Sequence, residues 1–109
     1  MFSGVALDGD LYRIVERCPP ALDDFRSYEA LGKPYNRRDF FKGTGVSVHT
    51  TAARAVTIAR KYNVGRGVAQ LDLCDSAVVW APTGGRGHVT VWAPPEILLR
   101  AVVQCAEHE

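Results

Sequence analysis

The chain has 109 residues, enough for one domain with a single core and too few for a second. Apolar residues make up 47% and charged residues 23%, which excludes a disordered chain. A net charge of +1 argues against bulk nucleic acid or an acidic membrane as the main partner, although Arg37-Arg38 and Arg54 to Lys61 are local basic patches.

Residues 1–9 read as a loose N-terminal segment, and Asp10 to Val15 as the first strand. Leu11, Arg13 and Val15 fall on one face of it, Tyr12 and Ile14 on the other, as in a strand covered on both sides. Pro19-Pro20 stops that strand and starts a short helix over Ala21 to Tyr28, with Leu22 and Phe25 at helical spacing. Leu31 to Gly45 is a long loop rich in breakers. Its Tyr35, Phe40 and Phe41 suit a loop that packs down, and long aromatic loops in small domains are often functional.

Gly45 to His49 is a short strand that runs through Thr50-Thr51 into a helix over Ala52 to Tyr62. Ala52, Ala55, Val56, Ala59 and Tyr62 form its inner stripe, and Arg54, Thr57, Arg60 and Lys61 face outward. Asn63-Val64-Gly65 is a helix stop. Gly67 to Leu73 alternates as a half-buried strand. Ala77–Trp80 and His88–Trp92 read as a hairpin around Thr83-Gly84-Gly85-Arg86-Gly87. Pro95 to about Arg100 reads as a short helix. Ala101 to Cys105 either continues that helix or returns as a closing strand, and the strand is the reading taken.

These elements make a small single α+β domain. The expectation is a mostly antiparallel sheet of five or six strands carrying two or three short helices. No apolar run is long enough to span a membrane. The first residues lack the pattern of a secretory signal, so a cytoplasmic protein is expected. Cys18, Cys74 and Cys105 are widely spaced, the pattern of free thiols in a reducing compartment. Cys74 and Cys105 lie among strand-like apolar residues, as small buried hydrophobes do. The histidines do not pair with the cysteines at metal-ligand spacing, so no metal is expected.

The junction at His49-Thr50-Thr51 is the leading candidate for chemistry. A strand end beside a helix N-terminus exposes backbone N–H groups and a positive dipole end, which receive anions and nucleotides. The plainer alternative is that a threonine only caps the helix. Arg13 either binds a carboxylate or phosphate, or lies exposed at a sheet edge. His88 and Trp92 share a strand face. One can serve as acid or base and the other as a stacking ring, or they are a surface and a core residue respectively. Glu96 follows two prolines, where the helix dipole alone favours a carboxylate. Thr83 to Gly87 lacks the ending of a phosphate loop, and no Ser-His-Asp or Cys-His signature is present.

Taken in order, Leu11-Tyr12-Arg13, the short helix, Val48-His49-Thr50-Thr51 and the alanine-rich helix ending at Tyr62 resemble the first two-thirds of the bacterial ADP-ribosyltransferase family. The likeness covers about residues 11–73. Arg13 matches the family's strand arginine. Thr50 and Thr51 match its Ser-Thr-Thr motif, with His49 in place of serine, and Glu96 stands for its glutamate. Gly87 to Trp92 is also similar to a Gly-His-x-Thr-x-Trp strand of small bacterial proteins.

The first resemblance implies an NAD-binding or NAD-cleaving domain, with a bacterial toxin among the roles it admits. Arg13, His49, Thr50, Thr51, Tyr62 and Trp92 would bind the cofactor. Glu96 and His88 would be catalytic, with Glu96 stabilising the ribose cation. The alternatives are a non-catalytic protein-binding module of a phage or toxin–antitoxin system, and a nucleotide-binding regulator. The partners expected are thus a nucleotide-type small molecule or a protein, with homodimerisation left open and no strong signal for nucleic acid.

Overall fold

The computed structural model describes residues 9–36, 43–73, 78–83 and 85–108. Its strands are Asp10–Val15 (β1), Val46–His49 (β2), Gly67–Asp72 (β3), Val79–Pro82 (β4), His88–Trp92 (β5) and Val102–Glu107 (β6). The helices are Tyr28–Leu31 (α1), Ala52–Tyr62 (α2) and Pro95–Arg100 (α3), with a 3-10 turn at Leu22–Phe25. The strands form one sheet in the order β4-β5-β2-β1-β3-β6, and every pairing is antiparallel. The α+β class and the antiparallel sheet agree with the sequence reading.

Alternation and register divide the sheet into two faces. One carries Leu11, Val15, Val46, Val48, Ala69, Leu71, Val89 and Val91, and it packs with Phe25 and Leu98 as the core. Phe25 and Leu98 are fully buried, worth about 2 kcal/mol each. The other face presents Tyr12, Ile14, Ser47, His49, His88 and Thr90. Helix α2 lies against β1, β2 and β3, burying Ala55 and Ala59.

The sheet has a seam. Strand β1 matches β3 at six register positions from Asp10↔Asp72 to Val15↔Gly67. It meets β2 at one, Tyr12↔His49. Beyond that pair β1 and β2 separate, and the Arg13 guanidinium fills the gap on the core side.

Helix α2 ends where the sequence predicts, with Asn63 in the left-handed conformation at φ 50°. Four expectations change. The helix expected over Ala21–Tyr28 is broken at Arg26, which is extended, and Ser27 caps the separate α1. The Asp24 carboxylate accepts from Ala21 N–H at 2.8 Å and Glu16 N–H at 3.0 Å, tying the 3-10 turn to the end of β1. Strand β4 is shifted to Val79–Pro82 because the turn pairs Pro82 with Val89, and proline is tolerated on an edge strand. Ala52 and Tyr62, expected inside, are exposed at the two ends of α2, and Tyr62 is 60% exposed.

The fourth change concerns the cysteines. Cys18 and Cys105 form a disulfide with their Cα atoms 5.7 Å apart, not free thiols. Ala69 pairs with Cys105, and the turn after β1 passes beside the same strands. Gly67 permits this approach: a Cβ there would stand 3.0 Å from the Cys18 sulfur and 2.9 Å from Val15 Cγ2. The Cys18 N–H also donates to Glu107 Oε2 at 3.1 Å. Cys74, Phe40 and Phe41 lie outside the described residues. Tyr35 donates to Glu29 Oε2 at 2.9 Å. No described helix is long and apolar enough to cross a membrane.

Candidate functional site

At the strand-to-helix junction the two threonines have different roles. Thr51 is the N-cap of α2, its Oγ1 accepting from Arg54 N–H at 3.2 Å. Thr50 is not a cap. Its N–H donates to the Gly87 carbonyl at 2.9 Å, which pins the β4–β5 turn against the start of α2. Gly87 sits at φ +77°, and a Cβ on it would lie 3.0 Å from both Arg54 Cδ and Thr50 Oγ1.

A hollow of about 470 Å³ opens at this corner, lined by Thr50, Thr51, Arg54, Thr57, Ile58, Arg86 and Gly87. Among the described residues the lining carries two guanidiniums, three hydroxyls and no carboxylate. Among the described residues the Nε of Arg54 is buried without a hydrogen-bond partner, and so is the Nδ1 of neighbouring His49. Unpaired buried polar groups are rare in folded proteins, and His108 Nδ1 is a third among the described residues.

His49 is 4% exposed. Burial, then the charges of His88, Arg54 and Arg13, push its pKa down to about 4. Its ring meets that of His88 edge to face at 5.4 Å. His88 Nδ1 lies 2.8 Å from the Thr83 carbonyl, which can only accept, so this nitrogen holds the proton. In neutral His88 the basic nitrogen is therefore Nε2. The Thr83 hydroxyl lies 2.9 Å from the same Nδ1 and 2.7 Å from the Thr90 hydroxyl.

The depressed His49 pKa has a consequence for stability. As pH falls from 6.5 towards about 4, the unfolded chain takes up a proton at His49 that the folded chain refuses. Stability at His49 is complete above pH 6.5 and is lost across this window, by up to about 3 kcal/mol. Urea unfolding at about pH 7 and about pH 4.5 should show a smaller difference in His49→Gln than in the wild type. Equal differences would exclude His49 as the source.

The structure separates the other predicted site residues. Arg13 is on an interior strand, on the core face. It donates from Nε to Asp24 O at 2.9 Å and from Nη1 to Ser47 O at 3.0 Å. Burial lowers its pKa, against the opposing influence of Asp24 and Tyr28. Trp92 is at the opposite end of β5 from His88 and donates to Thr44 Oγ1 at 3.0 Å. It lines a second hollow of about 260 Å³ with Phe25, Ser27 and Pro95. Glu96 is exposed in the first turn of α3, at that same end. Tyr62 stands at the far end of α2 from Thr51, with Lys61 Nζ 5.3 Å above its ring. Only His49, Thr50, Thr51 and His88 come together.

Arg54 and Arg86 complete the corner, and residue patterning missed both. Helical periodicity turns Arg54 outward, and Arg86 reads as turn filler. The available signals were an arginine three residues after the capping threonine and the Gly-Arg-Gly run. Comparison of the chain with protein-family models, curated proteins and solved structures finds no match. The likeness to ADP-ribosyltransferases thus rests on the short motifs alone.

Proposed function

We propose that this domain binds a phosphate-bearing nucleotide at the corner where β2 meets α2, with NAD the ligand that the motif resemblance nominates. The observation that carries the reading is a hollow at a helix N-terminus whose described lining brings together the Arg54 and Arg86 side chains and three threonines. A phosphate there accepts from the Arg54 guanidinium. It also meets the Arg86 guanidinium, the threonine hydroxyls and the positive end of α2. Among the described residues the hollow's lining has no carboxylate, and Glu96 lies at the other end of the sheet. The reading is therefore one of binding, with NAD cleavage a separate question. The disulfide favours a site of action where thiols are oxidised over the cytoplasm.

A thermal-shift titration tests this. NAD should raise the midpoint progressively with concentration, as mass action requires. Arg54→Ala should weaken binding by about tenfold to a hundredfold, the loss of one charge-assisted hydrogen bond. Equal shifts in wild type and variant would place the ligand elsewhere. Nicotinamide release, followed in the same samples, reports turnover.

A further inference from the structure

We infer that the phosphate site continues along one flank of α2 as a track for the backbone of single-stranded nucleic acid. This rests on the phosphate-binding reading of the corner and extends it. The net charge of +1 conceals a segregation of charge along the chain. No Asp or Glu occurs from Phe40 to Leu71 or from Ser76 to Pro95. Those stretches build α2 and the β4–β5 hairpin, and they carry Arg54, Lys61 and Arg86. Asp23, Asp24, Glu29 and Glu96 belong to the 3-10 turn, α1 and α3.

Helical geometry aligns the cations. Residues three and seven positions after Arg54 share its flank, so Arg54, Thr57 and Lys61 form a row about 10 Å long. Arg86 flanks its start at the hollow. Lys61 is exposed, and beside it Tyr62 is 60% exposed, with the Lys61 ammonium over one face of its ring. A cationic groove that follows the backbone, with an aromatic ring for a base, is how single strands are held without sequence preference. The ring lies about 12 Å along the helix from Arg54, farther than the phosphate and base of one nucleotide. A base stacked on Tyr62 must be unpaired, which selects a single strand over a duplex.

Fluorescence anisotropy of a labelled strand of about ten thymidines, titrated with the full disulfide-bonded chain, tests the track. Log K should fall with log salt at a slope of about −2 for three cations. Lys61→Ala should reduce that slope by about 0.7, and Tyr62→Ala should weaken binding by about tenfold. Lys61→Ala should leave the NAD-induced thermal shift intact, which shows that the variant is folded. Strand binding unaffected by both substitutions would overturn the track. So would equal affinity for a duplex, or equal affinity for phosphatidylserine vesicles. An NAD shift without strand binding would overturn the track and leave the corner standing. Absence of both would remove the two together.

Discussion

Reduction of the Cys18–Cys105 bond should cost the domain about 2–4 kcal/mol of unfolding free energy. The bond spans 87 residues of sequence, nearly the whole chain. Closing so long a loop removes much of the unfolded chain's freedom, and the chain-entropy account puts its upper limit near 4.6 kcal/mol. A domain of this size has only about 5–15 kcal/mol in total. Urea unfolding with and without reductant, and of Cys18→Ser/Cys105→Ser, should show a large fall in midpoint. An unchanged midpoint would mean that the edge strand β6 is held by its pairing with β3 alone.

Arg13→Met should destabilise the domain by about 2–4 kcal/mol, an effect nearly as large. Methionine keeps most of the side chain's apolar length. It cannot donate, so the carbonyls of Ser47 and Asp24 each lose a partner, at about 1–3 kcal/mol per buried group left unpaired. Scanning calorimetry should find the midpoint lower by roughly 10–20 °C. NAD binding at the corner should survive in the folded fraction. The opposite pattern, normal stability with lost binding, would return Arg13 to the role that the transferase resemblance implies.

Local signals in the sequence carried the architecture well. The alternation of Asp10–Val15 and His88–Trp92, the Thr51 cap and the Asn63 stop are set within a few residues of one another, and the structure keeps each. The C-terminal strand was harder, since Ile97, Leu98, Ala101, Val102 and Cys105 also fit one helical stripe. The Cys18–Cys105 bond was hidden by its separation, because nothing local brings Pro19-Pro20 to β6. The site was legible only in part. His49, Thr50, Thr51 and His88 meet because β2 and β5 pair in register and the turn folds onto α2. For Arg13 the sequence leaves a ligand role and an exposed sheet edge open, since an arginine between Leu11 and Val15 has no local explanation. The explanation is non-local: β1 and β2 share a single register pair, and the guanidinium bonds the carbonyls of Ser47 and Asp24.

The seam between β1 and β2 bears on how the chain folds. It divides the sheet into β4-β5-β2 and β1-β3-β6, with Tyr12↔His49 the register pair between them. Neither half is contiguous in sequence. The chain passes from one to the other between β1 and β2, β2 and β3, β3 and β4, and β5 and β6. Neither half is therefore a continuous segment that forms from local contacts alone. Contacts of such long range make for a slow, all-or-none transition, on the millisecond-to-second scale of non-local β topologies.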